Sequence, residues 1–89
     1  MYEVRYHPHA VKDLKKLDRA TQKRALKAVE GKLMIAPLHF GKPLNSPLAP
    51  FRSLRLGDHR LVYVVEGKQV FVLAVGHRRD IYDIANERS

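Results

Sequence analysis

The sequence predicts an α+β fold with an N-terminal strand, a helix hairpin packed on a mainly antiparallel four-stranded sheet, and a short C-terminal helix. Three observations predict it. Apolar and polar residues alternate at the start of the chain, apolar residues recur at helical spacing over residues 10–33, and from residue 51 the apolar period switches to two. A chain of 89 residues, 45% of them hydrophobic, is enough for one core, so residues 1–89 are expected to form a single domain.

The first strand and the first helix are predicted near the N-terminus. Alternation over residues 2–6 is typical of a half-buried strand. Pro8 fits the first turn of a helix, because its fixed φ angle is helical and its missing N–H has no partner there. Leu14 and Leu17 belong to the apolar stripe of that helix, which is expected to run for about ten residues.

A second helix is expected to complete the hairpin. Asp18 is suited to cap its N-terminus, and its apolar stripe runs from Ala25 to Leu33. Gly31 weakens the last turn by about 1 kcal/mol relative to alanine. Pro37 ends the helix at the latest.

The remaining elements follow a proline-rich segment. Residues 37–50 hold four prolines and are predicted to form an ordered crossing loop without helix or strand. Three antiparallel strands are predicted at residues 51–56, 60–66 and 69–75, with glycine in both turns. The last strand is apolar on both faces, which predicts a central position, with the first strand and the helix hairpin available as its cover. Ile81 then indicates a short C-terminal helix.

Charge and composition limit the classes of function. Seventeen Lys and Arg against nine Asp and Glu give a net charge of +8, which favours a polyanion or an acidic protein as partner, although a solubilising surface has the same charge. The absence of cysteine excludes disulfides, a thiol nucleophile and cysteine-ligated zinc. No His/Asp/Glu cluster has metal-ligand spacing, so neither a metal nor a cofactor is predicted. With no leader-like or membrane-length apolar run, the protein is expected to be cytoplasmic and not to bind a membrane.

The candidate site lies where the last strand ends. Alternation directs Arg55 and Arg60 away from the core leucines, so that they can meet on one face, and Arg78 at the strand end would complete a basic concavity for phosphate. His77 is the candidate proton carrier, and Tyr82 could stack on a base. The alternatives are solubilising arginines, a structural histidine and a core tyrosine.

Further cations lie on the helix hairpin and after the last strand. Those predicted to face phosphates are Lys12, Lys16, Arg19, Lys23, Lys27 and Arg79. The hairpin has eight cations on two adjacent helices, which suggests a broad phosphate-binding surface, and the alternative is an ordinary solvated helix face. They are the five hairpin residues just named together with Lys15, Arg24 and Lys32.

Two segments, LGDHRLVY at residues 56–63 and VGHRRDIY at residues 75–82, resemble the signature of the RelE/ParE toxin superfamily. The resemblance covers nearly the whole chain and is stronger to the RelE branch. It implies a microbial ribonuclease-like fold and the toxin of a type II toxin–antitoxin module. It also implies a metal-independent endoribonuclease that cuts messenger RNA in the ribosomal A site by 2′-hydroxyl attack, and so inhibits translation.

The resemblance also implies roles for single residues. Arg55, Arg60 and Arg78 would hold the phosphate and its developing charge, Tyr82 would stack on or orient the nucleotide, and His77 falls where some members carry a basic residue. The six hairpin and strand-end cations would then bind RNA and the ribosome. Ser53 stands where some members carry a second lysine, and no glutamate matches the general base of other members. The resemblance therefore leaves the general base open: His77 could serve, or the cationic cluster could lower the pKa of the 2′-hydroxyl without a dedicated base.

Partners and alternatives follow from the same resemblance. It implies a RelB-like antitoxin, acidic or amphipathic, besides the ribosome and messenger RNA. The ParE branch shares this scaffold but poisons DNA gyrase by binding, without nuclease activity. An inactive toxin-like binding module is the third possibility. A proton carrier beside an arginine favours RNA cleavage, since a binding poison has no evident need for one.

Overall fold

The computed structural model describes residues 1–89 and contains three α-helices and five strands. In chain order they are β1 (Glu3–Tyr6), α1 (Pro8–Lys16), α2 (Arg19–Ala28), β2 (Lys42–Pro43), β3 (Arg52–Leu56), β4 (His59–Glu66), β5 (Gln69–His77) and α3 (Ile81–Arg88). The predicted α+β class is confirmed. None of the helices combines the length and hydropathy that crossing a membrane requires.

The sheet has the strand order β1-β5-β4-β3-β2, with β1 parallel to β5 and the other pairs antiparallel. The prediction of four strands was wrong by one, because the proline-rich segment contributes β2. Lys42 pairs with Ser53, and Pro43 pairs with Arg52. Proline is tolerated in an edge strand, where its missing N–H faces away from the neighbour. The proline count therefore did not exclude a two-residue pairing at the edge.

Both helices of the hairpin begin where the sequence predicts. Pro8 opens α1, and the Nδ1 atom of His7 accepts a hydrogen bond from the His9 N–H at 3.0 Å. Asp18 is the N-cap residue of α2, with an extended backbone. Regular α-helix ends at Ala28, earlier than the apolar stripe predicts, and the chain continues as a π-helical turn over Val29–Leu33. Gly31, which weakens an α-helix, lies inside that turn.

Two apolar cores lie on opposite faces of the sheet. The helix hairpin covers one core, in which Leu61 and Tyr63 of β4 are completely buried. Ile81 and Ala85 of α3 cover the other core, which includes Leu73 of β5. The central position of β5 is confirmed, since it lies between β1 and β4. The expectation that the first strand covers a face was wrong, because β1 lies beside β5 within the sheet and α3 covers that face.

A β-bulge in β5 changes which residues share a face. Val62 pairs with Ala74 while Tyr63 pairs with Val72, so Leu73 is the extra residue. Leu73 and Ala74 therefore both pack on the α3 side, and Val75 returns to the hairpin side. At the start of β5 the even-numbered residues Val70 and Val72 face the hairpin, whereas from Val75 onward the odd-numbered residues do.

An ion pair joins α1 and α3 across the edge of β5. The Arg88 guanidinium donates to both oxygens of the Asp13 carboxylate, at 2.6 and 3.1 Å, and the two side chains are only 16% and 14% exposed. Arg88 also donates to the Leu73 carbonyl at 3.2 Å, and Asp13 accepts the Val75 N–H at 3.0 Å. These bonds fix α3 on the sheet at its C-terminal end.

Candidate functional site

An open groove of about 630 Å³ lies on the α3 side of the sheet. Its floor is formed by β3 and β4, one wall by residues 39–44, and the other by Tyr82 at the start of α3. Four cations line it, and no acidic residue does: Lys32, Lys42, Arg55 and Arg60. The lining therefore has the charge that a phosphate group requires.

Arg55 and Arg60 occupy the floor as directly opposed residues of β3 and β4. The Arg60 Nη1 atom donates to the carbonyls of Gly57 and His59, at 2.7 and 2.9 Å. Its guanidinium is thus held in place before any ligand arrives. Arg55 is exposed and makes no side-chain hydrogen bond to protein, so all its donors are available. The structure brings these two residues together as the alternation predicted.

Tyr82 reaches the groove from α3. Its phenol oxygen lies 3.4 Å from the hydroxyl oxygen of Ser53, which is buried on β3. Tyr82 itself remains 40% exposed. The ring thus stands beside the two arginines with one part open to solvent. A partly exposed aromatic ring at a basic groove can stack on a nucleobase.

The structure does not bring His77 into the groove. His77 pairs with His59, whose partner on β3 is the buried Leu56 of the hairpin-side core, so all three lie on the hairpin face. The His59 and His77 rings are 5.6 Å apart, and the His77 Nδ1 atom accepts the Arg79 N–H at 3.2 Å. The bulge at Leu73 causes this placement, since uninterrupted alternation would have put His77 on the groove side.

Arg78 and Arg79 lie in the turn after β5, exposed and outside the groove lining. The Arg78 N–H donates to the Asp58 carbonyl at 2.8 Å, which ties this turn to the β3–β4 turn. Their side chains make no hydrogen bond to protein. They are available to a ligand that extends beyond the groove, and the structure does not place them against Arg55 and Arg60.

The hairpin cations divide into two sets. Lys27 lines a second pocket of about 340 Å³ together with Arg24 of the same helix. This pocket shares Lys32, Phe40 and Arg55 with the groove, so the two form one continuous basic surface. The other predicted cations are exposed on the hairpin and line neither pocket: Lys12, Lys16, Arg19 and Lys23.

Carboxylates do not neutralise this surface. The structure contains two salt bridges, Arg5 with Glu3 and Arg88 with Asp13, and both lie away from the groove. The cations of the groove and the second pocket therefore have no acidic partner. Unpaired like charges held close together repel one another, and a polyanionic ligand relieves that repulsion.

The buried Tyr63 and the half-buried Arg52 hold the wall at residues 37–41. The Tyr63 hydroxyl lies within donating distance of the carbonyls of Pro37 and Phe40, at 2.7 and 2.6 Å. The Arg52 Nη2 atom donates to those of Leu38 and Gly41, at 3.1 and 3.3 Å. Burial raises the pKa of Tyr63, although the nearby Arg52 lowers it in part. The wall is thus fastened to β3 and β4.

The sequence reasoning missed His39 and Lys42 of the lining, whereas Lys32 is one of the hairpin cations that it predicted to face phosphates. His39 and Lys42 belong to the proline-rich segment, whose path depends on the buried Tyr63 and Arg52. No local sequence pattern shows that the carbonyls of residues 37–41 accept hydrogen bonds from Tyr63 and Arg52. Lys32 lies in the π-helical turn, and its Nζ atom is 5.5 Å from the centre of the Phe40 ring.

A family model described as the ParE toxin of the type II toxin–antitoxin system parDE matches residues 4–82. The chain belongs to this toxin family. Toxin RelG of Mycobacterium tuberculosis is 39% identical over 83 residues, which are 91% of this chain and 95% of RelG. Toxin RelE of the same organism is 32% identical over 84 residues, 94% of this chain and 79% of RelE. The resemblance to RelE/ParE toxins is confirmed.

Solved structures of toxins share the fold. The toxin–antitoxin complex RelBE2 from M. tuberculosis matches with a TM-score of 0.80 and 37% identity, covering 86% of this chain and 98% of the matched chain. A mutant of Escherichia coli toxin RelE in the free state matches with a TM-score of 0.70 and 24% identity, covering 98% and 96%. At that identity, the second match shows the fold alone. This chain is thus a RelE-family toxin of a type II toxin–antitoxin system.

Proposed function

We propose that this toxin is a metal-independent endoribonuclease that cleaves messenger RNA in the ribosomal A site, in the cytoplasm, and so inhibits translation. The observation that carries the proposal is the groove, in which Arg55 and Arg60 lie side by side without a carboxylate and next to Tyr82. The two guanidinium groups present forked donors that match phosphate oxygens, and the ring of Tyr82 beside them is open to a stacked base.

The proposed reaction is an internal transesterification. The ribose 2′-oxygen forms a bond to the adjacent phosphorus while the bond from phosphorus to the 5′-oxygen breaks, which leaves a 2′,3′-cyclic phosphate and a 5′-hydroxyl. Negative charge grows on the phosphoryl oxygens in the transition state. Arg55 and Arg60 stabilise that charge, and Arg60 does so with little reorganisation because two carbonyls already hold it. Tyr82 orients the nucleotide by stacking.

The residues outside the groove keep secondary roles in this proposal. Arg78, His77 and Arg79 bind the RNA strand beyond the cleaved phosphate, on the turn that follows β5. The hairpin cations bind ribosomal RNA: Lys12, Lys16, Arg19, Lys23 and Lys27. Phosphate contacts of this kind position the enzyme and do not select a sequence.

The test is primer extension on messenger RNA bound to purified ribosomes with an empty A site. Wild-type toxin is expected to cut at the A-site codon only when ribosomes are present, and Arg60→Gln to lose most of that activity. Arg5→Gln removes the same charge at the far edge of the sheet and is the matched control. Cuts that do not depend on Arg60, or no cuts where an active RelE control cleaves, would refute the proposal. Arg78→Ala in the same assay tests the predicted role of the strand-end arginine.

The second candidate is a poison of DNA gyrase, which the match to a ParE toxin model favours. Gyrase supercoiling assays separate the two candidates, because a gyrase poison blocks supercoiling and leaves ribosome-bound messenger RNA intact. An inactive binding module would do neither.

We also propose that the partner of this toxin is a RelB-like antitoxin that lays an acidic amphipathic helix on the helix hairpin. Val11, Leu14 and Leu26 form an apolar depression between α1 and α2, with Lys15 and Gln22 at its border. Leu26 is 55% exposed there and Val11 is 39% exposed. Apolar anchors beside a lysine suit a helix with one apolar face and acidic flanks. The matched RelBE2 structure is a toxin–antitoxin complex.

A further inference from the structure

We propose that His39 is the general base of this toxin, the group that removes the proton from the attacking 2′-hydroxyl. The inference rests on the proposed ribonuclease activity and fills the place that the family resemblance leaves open. His39 lies on the wall formed by the proline-rich segment and lines the same groove as Arg55, Arg60 and Tyr82. It is exposed, so the imidazole is accessible to an RNA strand bound in the groove.

The chemistry of the lining selects His39. A general base must be unprotonated near neutral pH and must accept a proton as the 2′-oxygen attacks. Lysine and arginine are protonated at that pH, a neutral phenol or hydroxyl is too weak a base, and the lining contains no Asp or Glu. His39 is the only histidine among the lining residues, and imidazole changes its protonation state near neutrality.

The other histidines do not compete for this position. The chain has five, and none besides His39 lines the groove. His59 and His77 lie on the hairpin face of the sheet, with ring centres 5.6 Å apart. His7 and His9 lie at the start of α1, also with their rings in contact.

The backbone around His39 is held in place although the side chain is exposed. The carbonyls on both sides of it, at residues 37, 38, 40 and 41, are hydrogen-bonded by the buried Tyr63 and Arg52. Its own N–H donates to the Ala36 carbonyl at 3.0 Å, and its ring stands edge-on to the Phe40 ring with centres 5.0 Å apart. These bonds fix the backbone from which the imidazole projects, and the Phe40 ring is the side chain against which it rests.

The neutral imidazole of His39 takes the 2′-hydroxyl proton and becomes imidazolium while the 2′-oxygen bonds to phosphorus. The 5′-oxygen leaves with the electron pair of the broken bond and takes a proton from water or from Lys42. The imidazolium then returns its proton to solvent. Arg55 and Arg60 hold the phosphoryl oxygens throughout.

The experiment measures single-turnover cleavage of ribosome-bound messenger RNA as a function of pH. His39→Gln is expected to lower the rate near neutral pH by about 10²–10⁴-fold and to remove the fall in rate on the acidic side, because no base remains to be protonated. Arg60→Gln is expected to lower the rate and keep that acidic limb. His9→Gln removes an exposed histidine from α1 and is the matched control. Free imidazole added to His39→Gly should restore part of the rate, which a merely structural role would not allow.

Three outcomes would overturn the inference while leaving the proposed function intact. They are an unchanged pH profile in His39→Gln, no rescue by imidazole, or loss of the acidic limb in His77→Gln instead. If the wild-type toxin cuts no RNA, the proposed function fails and the general-base role with it, and a binding measurement then tests only whether His39 faces a bound nucleotide. Proton NMR of the histidines is recorded during titration with adenosine 3′-monophosphate. The His39 signals, assigned by their absence in His39→Gln, are expected to shift. A shift confined to the other histidines contradicts the inference.

Discussion

At the scale of single residues, Tyr63 connects the core to the groove wall. Its ring is completely buried beneath the hairpin, and its hydroxyl lies within donating distance of the carbonyls of Pro37 and Phe40. Gly41, at a φ of +76°, packs against the same hydroxyl so closely that a Cβ atom there would overlap it. The phenol therefore determines the path of the segment that carries His39.

We predict that Tyr63→Phe lowers the free energy of unfolding by about 1–3 kcal/mol, because the carbonyls of Pro37 and Phe40 lose the one proton that they share while the ring still fills the core. Chemical denaturation measures this loss. Arg52→Met, which removes the donor to Leu38 and Gly41, should have a similar effect on the wall. A loss of stability near zero in Tyr63→Phe would mean that water replaces the hydroxyl.

Tyr63 also makes the free energy of unfolding depend on pH in the alkaline range. Burial raises the pKa of Tyr63, so the native state holds the phenol proton to higher pH than the unfolded chain does. Its contribution to stability is fully present below the ordinary tyrosine pKa of about 10 and is lost as pH rises through the raised native value. Wild-type stability should therefore fall more steeply with alkaline pH than that of Tyr63→Phe. Parallel curves would contradict this. Burial also raises the pKa of Tyr6, so part of the slope should remain in the variant.

How far the sequence predicts the site depends on how local each determinant is. Strand alternation placed Arg55 and Arg60 on one face, because β3 and β4 are joined by a tight turn and contain no bulge between these residues. Alternation failed for His77, because one extra residue in β5 reverses the faces. His39 could not be predicted, since its position depends on hydrogen bonds to residues far along the chain.

At the scale of secondary-structure elements, the sequence predicts those with a strong period and misses those that depend on pairing. The hairpin helices and β3–β5 have regular apolar periods and turn glycines. Gly57 and Gly67 adopt positive φ angles of 67° and 61°, as the turns require. β2 has no periodicity, since it consists of two residues whose only strand feature is that they pair with β3.

The position of α3 depends on the Asp13–Arg88 pair. This helix has eight residues, too few to be stable by itself, and it carries Tyr82 at one end and Arg88 at the other. We predict that Arg88→Met destabilises the protein by about 3–5 kcal/mol, because the Asp13 carboxylate stays buried without its charge partner. Hydrogen exchange of the α3 amides should accelerate more than that of β4.

A double variant supplies the control for this prediction. Asp13→Leu combined with Arg88→Met removes both charges, so it should recover much of the lost stability while the Leu73 carbonyl and the Val75 N–H remain without their side-chain partners. If the double variant is as unstable as the sum of the two single ones, the pair contributes nothing beyond packing. Cleavage should fall in Arg88→Met even at temperatures where it stays folded, since Tyr82 depends on the same helix.

At the scale of the whole molecule, six of the seventeen Lys and Arg residues line one continuous surface made of the groove and the second pocket. The second pocket continues the groove past Phe40, so a strand held at Arg55 can extend toward Lys27. We predict that Lys27→Gln lowers the salt dependence of binding to single-stranded RNA, reducing the slope of log K against log salt by about 0.7. Lys68→Gln, in the β4–β5 turn, removes an equal charge and should leave the slope unchanged. Equal effects in both would indicate a diffuse attraction by net charge. Fluorescence anisotropy over a salt series measures both.

The apolar depression on the hairpin shares no lining residue with the groove, so antitoxin binding and RNA cleavage should be separable by mutation. Leu26→Glu places a carboxylate in the apolar depression, where an acidic helix would be repelled and its apolar anchor lost. Because Leu26 is 55% exposed, the fold should lose little stability. We predict that this variant stays toxic, cleaves like the wild type, and loses both antitoxin binding and the rise in melting temperature that the antitoxin gives.

Ala20→Glu, exposed on the same helix outside the depression, is the matched control and should still bind. Retained binding in Leu26→Glu would place the antitoxin elsewhere on the toxin, and loss of cleavage as well would mean that the depression and the groove are coupled.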